Sequence, residues 1–170
     1  MDGDNLGQII FLVILIMFSA FFSATETAFS SINKIRMKNM ANNGNKKAVA
    51  VLELNEKYDK LISTILIGNN IVNITASSVA TVLFLVYFPK NGATISTVVT
   101  TIVVLIFGEI TPKSIAKDFP EKFAMAVVPF VKVLCIILSP INFVFSSWKN
   151  LISKVFKNDE NRGLTEEELL

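Results

Sequence analysis

The sequence predicts an all-α membrane protein with three transmembrane helices, a broken third helix and additional cytoplasmic juxtamembrane helices. Its 170 residues are 52% hydrophobic and 18% charged, with a mean hydropathy of +0.55, whereas a soluble domain carries about 25% charged residues. The apolar residues form blocks long enough to cross a bilayer. Short polar and basic stretches separate these blocks, so a soluble globular domain is not expected.

The first predicted span covers residues 6–30. Its apolar part before Ser23 is about 17 residues long, which is short for a helix that needs about 20 residues to cross the hydrocarbon core. The SATETA stretch is therefore expected inside the helix. The acidic residues Asp2 and Asp4, and the lack of a small-residue cleavage site, argue against a removable signal peptide. We expect this span to be retained.

Residues 32–58 are polar and basic, and they are predicted to form a helical hairpin at the membrane surface. The run Asn-Asn-Gly-Asn at 42–45 is a turn signal between two short helical patterns. Positive charge in short loops marks the cytoplasmic side, which places the hairpin inside and the N-terminus outside. The basic residues of this stretch are Lys34, Arg36, Lys38, Lys46, Lys47 and Lys57.

The second and third spans are predicted at 61–88 and 93–112, with a tight turn at 89–92. The second span is rich in serine, threonine and asparagine, which are common at contacts between helices in lipid. In the third, Pro112 lacks an N–H and clashes with the carbonyl of Gly108, four residues back. We therefore expect a break or kink there that leaves this carbonyl free.

A fourth apolar block lies within residues 119–157, but its flanks argue against a fourth crossing. Basic residues lie on both sides of it, so both ends are expected in the cytoplasm. Interfacial or re-entrant helices with a hinge near Pro129 or Pro140 fit this pattern. The predicted transmembrane domain covers 1–157 of a multi-pass protein of the cell membrane, with a cytoplasmic C-terminus.

Three oxygen-rich segments interrupt otherwise apolar runs. Glu26 lies in FFSATETAFS, Glu109 in IFGEITPKS, and three asparagines lie in IGNNIVNITASS. Ionisable groups at membrane depth are costly and by default mark an ion or substrate pathway. Helical spacing places Ser19, Ser23 and Glu26 on one face of the first helix. The same spacing places Asn69 and Asn73 on one face of the second, with Asn70 directed elsewhere.

The serines and asparagines also have simpler interpretations. The hydroxyls of Ser19 and Ser23 could donate hydrogen bonds to carbonyls of their own helix. The amides of Asn69, Asn70 and Asn73 could join helices without binding a ligand. Only convergence of the separate helices would turn these groups into one site.

The two carboxylates have alternatives as well. Glu26 could lie near the cytoplasmic end of its helix and pair with Lys34 or Arg36. Glu109 could pair with Lys113, one helical turn away. Neither alternative is excluded by the sequence.

Composition narrows the chemistry of the predicted site. The chain has no histidine and a single cysteine, Cys135, so imidazole ligands and an intrachain disulfide are excluded. Oxygen donors remain, and they suit magnesium, calcium, manganese or an alkali ion.

With a net charge of +2 we expect no nucleic-acid partner. Since no nucleophile is paired with a base, we expect no enzyme activity.

The segments FFSATETAFSSINKIRMKNM, ILIGNNIVN and FGEITPKSIA resemble the transmembrane domain of the CNNM/CorC (cyclin M-like) magnesium transporter family. The resemblance extends over nearly the whole chain. It implies three spans, an external N-terminus, a juxtamembrane helical belt and a homodimer. It also implies a cytoplasmic pair of nucleotide-binding CBS domains after the membrane domain. This sequence contains no CBS pair, so we expect residues 158–170 to begin a linker, and ATP regulation is not carried over.

By position, the resemblance implies a Mg²⁺ site. Its implied ligands are Ser23, Asn69 or Asn73, Gly108 and Glu109, and the candidates for lining the cavity are Ser19, Glu26, Asn70 and Pro112. The implied activity is magnesium transport, with efflux as the expected direction and Na⁺ as a candidate counter-ion. The alternative is a membrane scaffold that senses Mg²⁺ without transporting it and signals to a cytoplasmic domain.

Overall fold

The computed structural model describes residues 3–141 and Ser147. The described residues form seven α-helices and one π-helical segment, and they contain no β-strand. The helices are α1 (Gly3–Ser31), α2 (Lys34–Asn42), α3 (Lys46–Glu56), α4 (Tyr58–Tyr87), α5 (Gly92–Val103), α6 (Thr111–Asp118) and α7 (Pro120–Ile137), with the π-helical segment Val104–Ile110 between α5 and α6. The prediction of an all-α membrane protein is confirmed.

Three helical runs are long and apolar enough to cross a membrane. They are Asn5–Ser31, Tyr58–Tyr87 and Gly92–Asp118, here called the first, second and third spans. The third span joins α5, the π-helical segment and α6 into one run. It continues past the predicted end at residue 112, because Pro112 lies in the first turn of α6, where a missing N–H is tolerated.

The interruption predicted in the third span takes the form of π-helical turns. The N–H of Thr111 donates to the carbonyl of Ile106, five residues back, and Thr111 keeps helical dihedral angles of −62° and −48°. The wider turn accommodates Pro112 without unwinding the chain. The third helix is therefore irregular where a break was predicted, but it is continuous. Such π-helical segments are frequently found at functional sites.

The basic stretch after the first span forms a hairpin of α2 and α3. Asn33 and Asn45 cap the two helices, each with a side-chain oxygen that accepts two backbone N–H groups of the first turn. Gly44 occupies the turn with φ of +86°, a left-handed conformation that glycine adopts without strain. Both the first and the third spans have their C-terminal ends near this hairpin, and we call this side of the molecule the hairpin end.

The fourth apolar block forms α7, which is not among the candidate spans. One face of α7 is buried, with Ala124, Val128, Val131 and Cys135 at helical spacing. The helix passes through Pro129 without ending and stops at Ile137. The expected hinge is therefore absent at Pro129, and α7 ends close to Pro140. Residues 142–146 and 148–157 of the predicted 119–157 region, and the predicted linker at 158–170, lie outside the described residues.

An apolar core at the hairpin end holds these elements together. Buried residues of α1, the hairpin, α4, α6 and α7 contribute to it, among them Phe29, Met37, Val51, Ile65 and Val131. Ion pairs lie at its rim. Arg36 approaches Glu121 at 3.8 Å, and Lys132 binds Glu53 at 2.7 Å. The hydrogen bond and the charge of Lys132 lower the pKa of Glu53.

We expect Gly68→Ala to destabilise the packing of the first span on the second. A Cβ at position 68 would lie 2.5 Å from the ring of Phe22, which is only 5% exposed. Overpacking of this kind costs about 1–3 kcal/mol, measurable by thermal unfolding in detergent. Gly7→Ala is the matched control, because no atom lies within 4 Å of a Cβ added at that position. Phe22→Leu should restore part of the stability of Gly68→Ala. An unchanged melting temperature in Gly68→Ala would contradict the close approach.

Candidate functional site

The three spans meet at Ser19. Its hydroxyl donates to the side-chain oxygen of Asn69 on the second span, at 3.3 Å. A Cβ added to Gly108 on the third span would lie 2.8 Å from the same hydroxyl and 3.2 Å from the Cβ of Ser19. Ser19 is 1% exposed. Side-chain or backbone groups of all three spans are therefore brought to one buried point.

The third span reaches this point because residue 108 has no side chain. Gly108 is buried within the π-helical segment, and any larger residue there would collide with Ser19. Close backbone approach is a use to which glycine is particularly suited. The glycine thus brings backbone groups of the π-helical segment close to the first span.

Asn69 also receives a hydrogen bond from the amide nitrogen of Asn73, one turn along the same helix, at 3.4 Å. Both contacts of Asn69 exceed the usual hydrogen-bond lengths. Both are therefore long hydrogen bonds. The side-chain oxygen of Asn73 is buried and has no hydrogen-bond partner among the described residues.

Ser23 lies one turn after Ser19 on the same face of the first span. It is 0% exposed, and its hydroxyl has no hydrogen-bond partner within the described part of the chain. The alternative in which these serines bind carbonyls of their own helix is not realised, although Thr25 does so. Ser19, Ser23, Asn69, Asn73 and Gly108 are hereafter called the polar cluster.

The unpartnered oxygens of Ser23 and Asn73 are unusual for buried polar groups. Most such groups form hydrogen bonds, and each exception calls for an explanation. Over residues 5–141, four buried side-chain atoms have no partner, and two of them are in the polar cluster. An unsatisfied buried polar atom costs about 1–3 kcal/mol. Binding of a cation would satisfy oxygens of this kind.

The carboxylate of Glu26 pairs with Lys113 of the third span at 3.5 Å. The alternatives that placed Glu26 beside Lys34 or Arg36 are therefore not observed, and Arg36 lies near Glu121 instead. The sequence had offered Lys113 only as a partner for Glu109. Its contact with Glu26 was missed because it depends on how the first and third spans are aligned.

Glu109 follows Gly108 in the π-helical segment and is half-buried. Among the described residues it forms no ion pair, since Lys113 is engaged by Glu26. Pro112 is half-buried in the first turn of α6. Asn70 is exposed and lies on a different face from Asn69 and Asn73, so the structure does not bring it into the polar cluster.

The donor set of the polar cluster is dominated by neutral oxygens. No group of three or more histidine, cysteine, aspartate or glutamate side chains comes together within the described residues. A cation bound here would therefore contact hydroxyl, amide and carbonyl oxygens, with Glu109 as the nearest carboxylate along the chain. Hard cations such as Mg²⁺ and Ca²⁺ accept oxygen ligands of these kinds.

Three apolar spans around a buried polar cluster define a multi-pass membrane protein with an intramembrane polar site. The chain belongs to the CNNM family. The sequence profile of the cyclin M transmembrane N-terminal domain matches residues 10–170, which cover both the polar cluster and the hairpin end.

Known relatives extend this match to bacterial membrane proteins. The chain is 38% identical to the UPF0053 inner membrane protein YfjD of Escherichia coli over 137 residues, covering 81% of this chain and 32% of the relative. It is 43% identical to a UPF0053 protein of Haemophilus influenzae over 123 residues, covering 72% of this chain and 29% of the relative. A protein of E. coli named polyamine export protein is 27% identical over 166 residues, covering 89% of this chain and 37% of the relative. The chain thus spans about a third of the length of these relatives.

We expect a disulfide to form between the first and third spans when Ser19→Cys and Gly108→Cys are combined in a Cys135→Ser background. The two Cβ positions are 3.2 Å apart, near the range of about 3.5–4.5 Å found in disulfides, and a covalent S–S bond accommodates a separation that would be a collision for unbonded side chains. After oxidation and denaturation, a maleimide mass tag should label neither thiol. Ser19→Cys with Ile110→Cys is the control, because Ile110 is 62% exposed. Equal labelling of the two pairs would contradict the convergence at Ser19.

Proposed function

We propose that this protein transports Mg²⁺ across the cell membrane through a binding site at the polar cluster. The observation that carries the proposal is the pair of buried, unpartnered oxygens of Ser23 and Asn73, beside the point where all three spans meet. Efflux is the proposed direction, with Na⁺ as the candidate counter-ion. The proposed orientation has the N-terminus outside and the hairpin end in the cytoplasm.

The proposed ligands are Ser23, Asn69, Asn73, Gly108 and Glu109. They would supply a hydroxyl oxygen, amide oxygens, a backbone carbonyl and a carboxylate. Mg²⁺ gives up its water reluctantly and requires near-octahedral geometry, so several oxygens must replace the hydration shell together. Ligands from three separate spans can do this only while the spans are in contact. Rocking of one span against the others would then release the ion.

A homodimer is part of the proposal, and the exposed face of the second span supports it. Asn70, Ser77 and Ser78 are exposed on this helix, although polar groups facing lipid are unfavourable. Small and polar residues promote close contact between helices in membranes. A second copy covering this face would remove the amide of Asn70 from lipid.

The names of the relatives raise polyamines as a second candidate cargo. Proteins of E. coli and H. influenzae that are 27% and 25% identical to this chain are named polyamine export proteins. A polyamine carries several ammonium groups along an extended chain and would need carboxylates spaced to match. The polar cluster consists of hydroxyl, amide and backbone groups, and no group of three or more histidine, cysteine or carboxylate side chains comes together among the described residues, which favours a small ion.

We expect Mg²⁺ to stabilise the purified chain and Ser23→Ala to weaken this effect. A ligand that binds only the folded state adds about 2.7 kcal/mol at a concentration of about 100 times its Kd. Loss of a ligand oxygen should weaken Mg²⁺ binding at least about tenfold, measured by thermal unfolding at increasing MgCl₂. Ser30→Ala is the matched control, because Ser30 is exposed on the same helix as Ser23 and its hydroxyl donates to the carbonyl of Thr27. Equal Mg²⁺ responses of the two variants would remove Ser23 from the site.

We expect Glu109→Ala to abolish Mg²⁺ flux in proteoliposomes while the protein still folds. Without this carboxylate, the two charges of Mg²⁺ would face mainly neutral oxygens, which raises the cost of dehydration. The measurement is a Mg²⁺-sensitive dye inside the vesicles, with spermidine flux followed in parallel. Glu56→Ala in α3 is the control, since Glu56 is exposed at the hairpin end. Undiminished flux in Glu109→Ala would refute the proposed site.

The same assay separates transport from the alternative of a sensing scaffold. A scaffold would show Mg²⁺-dependent stabilisation with no flux across a sealed bilayer, whereas a transporter would show both. Spermidine flux without Mg²⁺ flux would assign the pathway to polyamines instead.

A further inference from the structure

An ion pair lies between the polar cluster and the hairpin end. The ammonium of Lys113 is 3.5 Å from a carboxylate oxygen of Glu26. Glu26 follows Ser23 by three residues and Lys113 follows Gly108 by five. Since a helix rises 1.5 Å per residue, the pair lies about one to two turns beyond the cluster. It joins the same two spans that meet at Ser19.

The pair lies at the boundary between buried and accessible parts of the structure. The side chain of Glu26 is 29% exposed and that of Lys113 is 42% exposed, whereas Ser19 and Ser23 are almost completely buried. An ion moving from the hairpin end to the polar cluster along this face of the first span would meet Glu26 before it meets Ser23.

The contact is loose. Charge-assisted hydrogen bonds between nitrogen and oxygen are about 2.7–2.9 Å long, and Lys132 reaches Glu53 at 2.7 Å. At 3.5 Å, Lys113 neutralises Glu26 mainly by its charge. Partly exposed pairs of this kind contribute little to stability, so a competing cation can displace the ammonium at low cost.

The two partners differ in what they can do for an ion. A carboxylate is a good ligand for Mg²⁺, whereas an ammonium group has only donors and no acceptor. Lys113 and an incoming cation therefore compete for the same carboxylate. A monovalent ion would only replace one positive charge by another, but a divalent ion would bring a second charge and bind more strongly.

We propose that Glu26 and Lys113 form a charge-selective gate at the hairpin end of the pathway. This role rests on the proposed Mg²⁺ site. Glu26 captures the divalent ion on its way to the polar cluster. Lys113 occupies the carboxylate when no divalent ion is present, and it thereby disfavours monovalent ions. Glu26 and Lys113 are thus specificity-determining residues outside the proposed ligand set.

The test compares the Mg²⁺ affinity of purified variants by isothermal titration in detergent with a KCl background. Lys113→Gln should bind Mg²⁺ about two- to five-fold more tightly, since it removes an ammonium group that competes weakly for the carboxylate of Glu26. Lys113→Met should behave in the same way, and it serves if the glutamine variant is unstable. Lys113→Arg should stay close to the wild type because it keeps the charge. Lys117→Gln, one turn further on, is the control for net charge, and we expect no change.

The double variant separates a local role from a long-range effect of charge. Glu26→Gln should weaken Mg²⁺ binding, and adding Lys113→Gln to it should have no further effect. The gate would be overturned if Lys113→Gln strengthened Mg²⁺ binding equally in the presence and in the absence of the Glu26 carboxylate. It would also be overturned if Lys113→Gln bound Mg²⁺ with the affinity of the wild type. If Asn73→Leu abolishes binding in that case, the Mg²⁺ site stands and only the gate fails. A wild-type chain that binds no Mg²⁺ would overturn both proposals.

Discussion

The close approach of Gly108 to Ser19 is the contact on which the polar cluster depends. A π-helical segment places a residue without a side chain against the first span. The hydroxyl of Ser19 then reaches Asn69 on the second span. A larger side chain at position 108 would separate the first and third spans, and the polar groups would no longer share one buried environment.

The membrane makes this convergence necessary. A polar side chain that faces hydrocarbon loses its hydrogen bonds with water, so it must find partners inside the protein. Ser19 and Asn69 satisfy this requirement by pairing across two helices. Ser23 and Asn73 retain unpartnered oxygens in the same region of the described chain. The contrast between satisfied and unsatisfied groups within one cluster is the observation behind the proposed binding site.

The apolar core at the hairpin end supports the polar cluster from one side. Phe22 packs against Gly68 between the first and second spans. Phe22 directly precedes Ser23 in the chain, and Gly68 directly precedes Asn69. Phe29, Met37 and Val51 continue this packing into the hairpin. Because the core joins the first and second spans directly to α7 and the hairpin, movements of α7 and the hairpin would be transmitted to the spans. This arrangement suits a membrane domain that covers about a third of the length of its relatives.

Much of the fold could be predicted from the sequence because hydropathy, helix caps and turns are local properties. The three spans follow from apolar length, and the hairpin follows from the asparagines and Gly44. The faces that carry Ser19, Ser23 and Asn69 follow from helical periodicity. Only the tertiary structure decided how the spans align. The contact between Glu26 and Lys113 and the continuous π-helical form of the third span depend on packing between distant segments, which no local pattern encodes.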